Sequence, residues 1–193
     1  MVASRESLAS RAGNRYPIFM QIPLVMTILG PDRTGLVESV ARAVAGHGGN
    51  WLESRMCRLG GEFAGILRIE IPADQKSALL AALQKISGLN VTVRADETIL
   101  SAAKGRQAKL EIVGHDRPGI VREITSALTR AGVNVEEFSS EVASAPMSGE
   151  TLFKAAARLQ LPDPCDLAAL KRDLEKIAAD LLVDVSFAEL GNP

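Results

Sequence analysis

Leu24 to Leu29 reads as a strand, with Leu24, Met26 and Ile28 alternating onto one face. The period then lengthens. Leu36, Val37, Val40, Ala41 and Val44 share one stripe of a helix from about Gly35 to Gly46, and Gly46, Gly48 and Gly49 stop it. A second strand runs from Asn50 to about Leu59, and Gly60-Gly61 signals a hairpin turn. A third strand, Phe63 to Ile71, sets Phe63, Gly65, Leu67, Ile69 and Ile71 opposite Arg68 and Glu70. Asp74 is placed to cap a second helix to about Ser87, with Leu79, Leu80, Leu83 and Ile86 on its apolar face. Leu89, Val91 and Val93 make a fourth strand.

The pattern then repeats. Gly30-Pro31-Asp32-Arg33-Thr34-Gly35-Leu36-Val37 returns as Gly114-His115-Asp116-Arg117-Pro118-Gly119-Ile120-Val121, 84 positions on (114 − 30). The same offset carries Asn50 onto Asn134 and Glu53 onto Glu137. After an insertion at Ser144–Gly149, Phe63, Leu67, Ile69 and Ile71 map onto Phe153, Ala157, Leu159 and Leu161. Cys165–Leu182 is the second helix of this copy, and Val183, Val185 and Phe187 close its sheet. A loop, a helix stripe and a distant Asn kept in register predict a tandem duplication. The fold class is α+β: two ferredoxin-like βαββαβ domains, each an antiparallel sheet with helices on one face and the other face left for solvent or a partner. Residues 1–21 read as an extension, partly extended near Tyr16–Ile22, and 22–97 as the first domain. A polar linker, 98–107, leads to the second domain, 108–193.

Candidate chemistry concentrates in the repeated loop. Gly30 and Gly35, like Gly114 and Gly119, bracket four residues between a strand and a helix. A P-loop has this glycine spacing but needs Lys and Ser/Thr after the second Gly, where this chain has Leu36-Val37 and Ile120-Val121. Nucleotide binding by that mechanism is rejected. The helix start remains an anion site in principle, because its first backbone N–H groups lack intrahelical partners. Pro118 suits a first helical position and sets the second copy's helix start near residue 118. Asn50 and Asn134 are expected beside the loop, where each would bond a ligand or cap a turn. A purely structural reading stands beside this one: the glycines make the turn, and Asp32 and Asp116 satisfy nearby amides.

Composition removes other classes. A net charge of −1, from 22 basic and 23 acidic residues, offers no basic excess for direct nucleic-acid binding. Aromatic residues at 4% argue against the base-stacking sheets of RNA-binding modules with this topology. No apolar run approaches the roughly 18 residues of a membrane span. Arg5, Arg11 and Arg15 precede no apolar stretch, so the start is no secretory signal; it reads as a ragged leader, with a transit peptide as the alternative for its Arg/Ser/Ala composition. Cys57 and Cys165 are far apart, which suits a reducing cytoplasm, and no Cys-x-x-Cys loop is present for a metal. Cys57 and Trp51 are expected as buried and half-buried packing residues, and His47 as a helix cap. No nucleophile or orienting partner accompanies His115 in the manner of a catalytic base. Neither a cofactor nor a catalytic residue is assigned.

Gly-x-Asp-Arg-x-Gly-[Leu/Ile]-Val after the first strand, with Gly-[Gly/Val]-Asn opening the second, resembles the ACT domain, an amino-acid-sensing module of this topology. Two such modules over residues 22–190 resemble the glycine cleavage system transcriptional repressor family. The resemblance implies a regulatory rather than catalytic role, while the exposed strand edges of two small units favour a homodimer. It further implies a small amino acid, glycine or serine, as effector and a protein partner of the transcription-activator kind. By position it implies ligand contacts from Gly30, Asp32, Arg33, Thr34, Gly35 and Asn50, and from Gly114, His115, Asp116, Arg117, Gly119 and Asn134. The copies differ at Pro31 and His115 and at Thr34 and Pro118, which argues against two equivalent sites. ACT modules also serve as regulatory subunits of biosynthetic enzymes, such as the small subunit of acetolactate synthase, and that is the alternative reading.

Overall fold

A computed structural model describes residues 20–96, 105–144 and 150–190. The chain divides into two compact units between Ile99 and Leu100. Strand β1 (Gln21–Pro31), helix α1 (Leu36–Gly46) and strands β2 (Asn50–Leu59) and β3 (Glu62–Pro72) open the first unit. A 3-10 turn, Ala73–Gln75, leads to α2 (Lys76–Gln84), and β4 (Asn90–Ala95) completes it. The second unit repeats the order as β5 (Arg106–His115), α3 (Ile120–Arg130), β6 (Asn134–Ser144), β7 (Thr151–Leu161), α4 (Leu167–Leu181) and β8 (Val183–Leu190). The sheets are ordered β2-β3-β1-β4 and β6-β7-β5-β8, with every neighbouring pair antiparallel. The expected pair of ferredoxin-like units is what the chain forms. The start of β5 takes in Arg106 and Gln107, which the sequence reading placed in the linker. Most of the expected extension lies outside the described residues, as does nearly all of the insertion.

Each unit closes its own core. Leu24, Met26 and Ile28 of β1 and Leu67, Ile69 and Ile71 of β3 meet Val40 and Val44 of α1 and Leu79 and Leu83 of α2. In the second unit Leu110, Ile112, Leu159 and Leu161 meet Ile124, Leu128, Leu170 and Leu174. Each fully buried aliphatic side chain contributes roughly 1.5–3 kcal/mol. Gly60 and Gly61 both take left-handed φ, 60° and 86°, which lets β2 turn into β3 with two residues.

Three local expectations fail. Helix α3 runs from Ile120, as its apolar stripe predicts, but behind a left-handed Gly119, so Pro118 lies in the turn before it and not at the first helical position. Asp74 does not cap α2, because the chain first makes the 3-10 turn and Gln75 takes the cap position without a side-chain bond. Cys57 is exposed, not buried. A β-bulge between Trp51 and Glu53 explains this: the extra residue turns Glu53, Arg55 and Cys57 onto the open face. The second unit has the same bulge between Val135 and Glu137. His47 is a helix cap as expected, with Nδ1 2.7 Å from the Ala43 carbonyl, and Trp51 is half-buried against the core.

Candidate functional site

The β1–α1 loop forms because Gly35 sits at φ 82°, in the left-handed region where a side chain would be strained. Gly119 does the same at φ 100°. A Cβ at either glycine would meet nothing within 4 Å, so space opens in front of both helix starts. The first helical bonds run from Ser39 N–H to the Gly35 carbonyl, 2.9 Å, and from Glu123 N–H to the Gly119 carbonyl, 3.0 Å. Residues 36–38 and 120–122 therefore present amides without intrahelical partners. Gly30 and Gly114 have a different cause. A Cβ on Gly30 would lie 2.3 Å from the Gly88 carbonyl oxygen, and one on Gly114 2.5 Å from Val183 Cγ1. Both are dictated by packing against the segment that enters the last strand of the unit.

The loops are pinned alike through the backbone. Asp32 N–H donates to Gly61 O at 2.9 Å, and Asp116 N–H to Thr151 O at 3.1 Å. Their side chains differ. The Asp32 carboxylate meets Arg58 Nε at 2.7 Å, and Arg33 Nη2 donates to the Ser87 carbonyl at 2.9 Å. Among the described residues, the Asp116 and Arg117 side chains have no such partner, and His115 Nε2 stands 3.9 Å from Glu150 Oε2. Thr34 and Pro118 are both exposed.

Asn50 and Asn134 do not join their loops. Asn50 pairs with Glu70, which pairs with Pro23, seven residues before Gly30 along β1. Asn134 pairs with Gln160, opposite Gln107, seven residues before Gly114. At about 3.3 Å per residue the separation is at least about 23 Å. The cause is the crossover: α1 returns the chain to the bottom of the sheet, so β2 starts at the end opposite the loop. The sequence expectation of an adjacent Asn is corrected accordingly. The repeated Glu has a structural partner instead: Glu137 Oε1 lies 2.7 Å from Arg158 Nη2, and Glu53 faces Arg68 across the β2–β3 pair.

Arg58 and the Ser87 carbonyl escaped the sequence reading. Strand β3 returns beside the end of β1, so the residues flanking Gly60-Gly61 must stand next to the loop, and that signal was available. No group of three metal-ligating side chains occurs among the described residues, and no helix among them is long and apolar enough to cross a membrane.

One ACT domain family model matches residues 23–95 and a second matches residues 108–153, together more than half the chain. No curated protein matches the sequence significantly. Among solved structures, an unknown protein from Galdieria sulphuraria is 28% identical, over 89% of this chain and 99% of that one, with a TM-score of 0.80. A candidate glycine cleavage system transcriptional repressor is 20% identical over 90% of this chain and 99% of its own, with a TM-score of 0.64, a likeness of fold. A formyltetrahydrofolate deformylase from Pseudomonas putida KT2440 matches 45% of this chain and 30% of its own at 19% identity and a TM-score of 0.39, too partial to carry an argument.

Proposed function

Because the chain belongs to the ACT-domain family, we propose that it is an amino-acid-responsive regulatory protein without catalytic activity of its own, acting through a protein partner. The observation that carries this reading is the duplicated strand–loop–helix, with open space and unpaired amides before each helix. A free amino acid places its carboxylate on those amides, where the helix dipole favours negative charge. In the second loop Arg117 assists the carboxylate and Asp116 receives the ammonium, since neither is engaged elsewhere among the described residues. In the first loop Asp32 and Arg33 are already held by Arg58 and Ser87, so that loop serves as a turn. Glycine or serine is the effector proposed, as the family resemblance implies. The partner proposed is a transcription activator, as the family resemblance implies, and the protein is proposed to act as a cytoplasmic homodimer. Binding acts by linkage: a ligand that favours one state of the protein shifts partner affinity by its differential affinity for that state.

Isothermal titration of the full chain with glycine, serine and valine tests this. The expected result is saturable heat with glycine or serine, lost in Gly119→Val and kept in Gly35→Val. Silence with all three amino acids would sink the sensor reading and leave the loops as turns.

A further inference from the structure

The open faces of the two sheets have diverged. On the first, three residue rows cross the strands in the order β2, β3, β1, β4: Glu53-Arg68-Val25-Arg94, Arg55-Ile66-Thr27-Thr92 and Cys57-Ala64-Leu29-Asn90. Its centre is apolar, with Leu29 49% and Ile66 48% exposed. A shallow depression of about 210 Å³ lies beside Ile66, lined by Val25, Glu53, Arg55 and Arg68. Arg68 is held by Asp96. The corresponding rows of the second sheet are Glu137-Arg158-Lys109-Ala188, Ser139-Ala156-Glu111-Ser186 and Glu141-Lys154-Val113-Asp184.

We propose that the open face of the first sheet packs against the same face of a second copy of this chain, about a two-fold axis parallel to the strands. Rotation about that axis keeps each row and reverses its order. Glu53 of one copy then faces Arg94 of the other, and Arg94 has no partner among the described residues of its own chain. In the centre Ile66 faces Thr27, and Leu29 faces Ala64, so large side chains lie over smaller ones, as sheet-on-sheet packing at about 10 Å requires. The two Glu53–Arg94 contacts fix orientation more than they add affinity. The same operation on the second sheet sets Glu141 against Asp184 and Arg158 against Lys109. Glu141 against Asp184 opposes the pairing of that face, and its Arg158 and Lys109 are already matched by Glu136, Glu137 and Glu111 of their own chain. The inference rests on the sheet faces alone and stands whether or not the loops bind an amino acid.

Sedimentation velocity of the full chain over a concentration series tests it, with far-UV circular dichroism confirming the fold of each variant. Wild type is expected to dimerise. Ile66→Glu and Leu29→Glu should weaken self-association by about a hundredfold, as removal of a central interface anchor does. Val113→Glu, the equivalent of Leu29 on the second sheet, should leave it unchanged. Glu53→Arg should weaken it by about tenfold, and Glu53→Arg with Arg94→Glu should restore it. The restoration is a readout that edge-to-edge strand pairing does not predict, and it serves even if the central variants misfold. A wild type that sediments as a monomer throughout would overturn the proposal. So would a folded Ile66→Glu that dimerises as tightly as wild type, or a charge reversal that fails to restore what Glu53→Arg loses.

Discussion

The two units share a backbone and disagree in what their side chains do. Both close a core from the same strand and helix positions, both open the loop with a left-handed glycine, and both place a bulge early in the second strand. The first unit ties its loop down with Arg58 and the Ser87 carbonyl and leaves an apolar open face. The second leaves Asp116 and Arg117 without partners among the described residues and covers its open face with charge. Core packing constrains both copies equally, because a misfit inside either unit costs several kcal/mol. Loop tips and the open faces are not so constrained. Duplication therefore leaves the two copies free to diverge at their loop tips and open faces.

The largest effects should come from the cores, and they test whether the units are separate. Ile69→Ala and Leu159→Ala each remove a fully buried side chain from one core and should cost about 2–5 kcal/mol. Hydrogen exchange read by mass spectrometry should show faster exchange chiefly in the unit that carries the substitution. Equal acceleration in both would break the division into independent cores.

Gly30→Ala and Gly114→Ala come next, at about 1–3 kcal/mol each in urea unfolding, since both glycines stand against close neighbours. Here the units should part. The obstacle at Gly114 includes the Val183 side chain, so Val183→Ala should recover part of the loss. The obstacle at Gly30 is the Gly88 backbone, which no side-chain change relieves.

A smaller contrast lies at the second helices. Asp166 Oδ1 accepts from Ala169 N–H at 2.9 Å and caps α4, so Asp166→Ala should lower stability by about 1 kcal/mol. Asp74 caps nothing in the first unit, and Asp74→Ala should stay within about 0.5 kcal/mol. The smallest change is expected for Arg58→Ala. It removes an exposed ion pair with Asp32 and should shift stability by less than about 1 kcal/mol. Its interest lies in releasing Asp32, which would make the first loop more like the second; a thermal shift with glycine would read any gain.

The element order and both cores were legible in the sequence because period-2 and period-3.6 runs alternate cleanly, and because the repeat let each copy check the other. The glycine turns were legible too. Three features were not. The bulge at Leu52 reverses which residues of β2 face outward, and alternation alone carries no sign of it; Cys57, expected buried as free cysteines usually are, is turned outward by it. Pro118 was read as a first helical residue, but the left-handed glycine after it postpones the helix by two positions. Asn50 was set beside the loop in the topology expected, although the helical crossover carries β2 to the far end of the sheet. Of the site, the loop residues were found and their partners Arg58 and Ser87 were not. The hairpin signal at Gly60-Gly61 could have placed Arg58, but the Ser87 carbonyl depends on how the segment before β4 returns beside β1, a matter of register rather than of pattern.

The central claim is that a small amino acid is received in front of α3. Two-dimensional amide NMR of the full chain, titrated with glycine, reads it at each residue. The account predicts saturable shifts concentrated at residues 114–122, with Arg117→Ala reducing the affinity and residues 30–38 little changed. Shifts confined to the first loop, or no saturable shift at either loop, would contradict it.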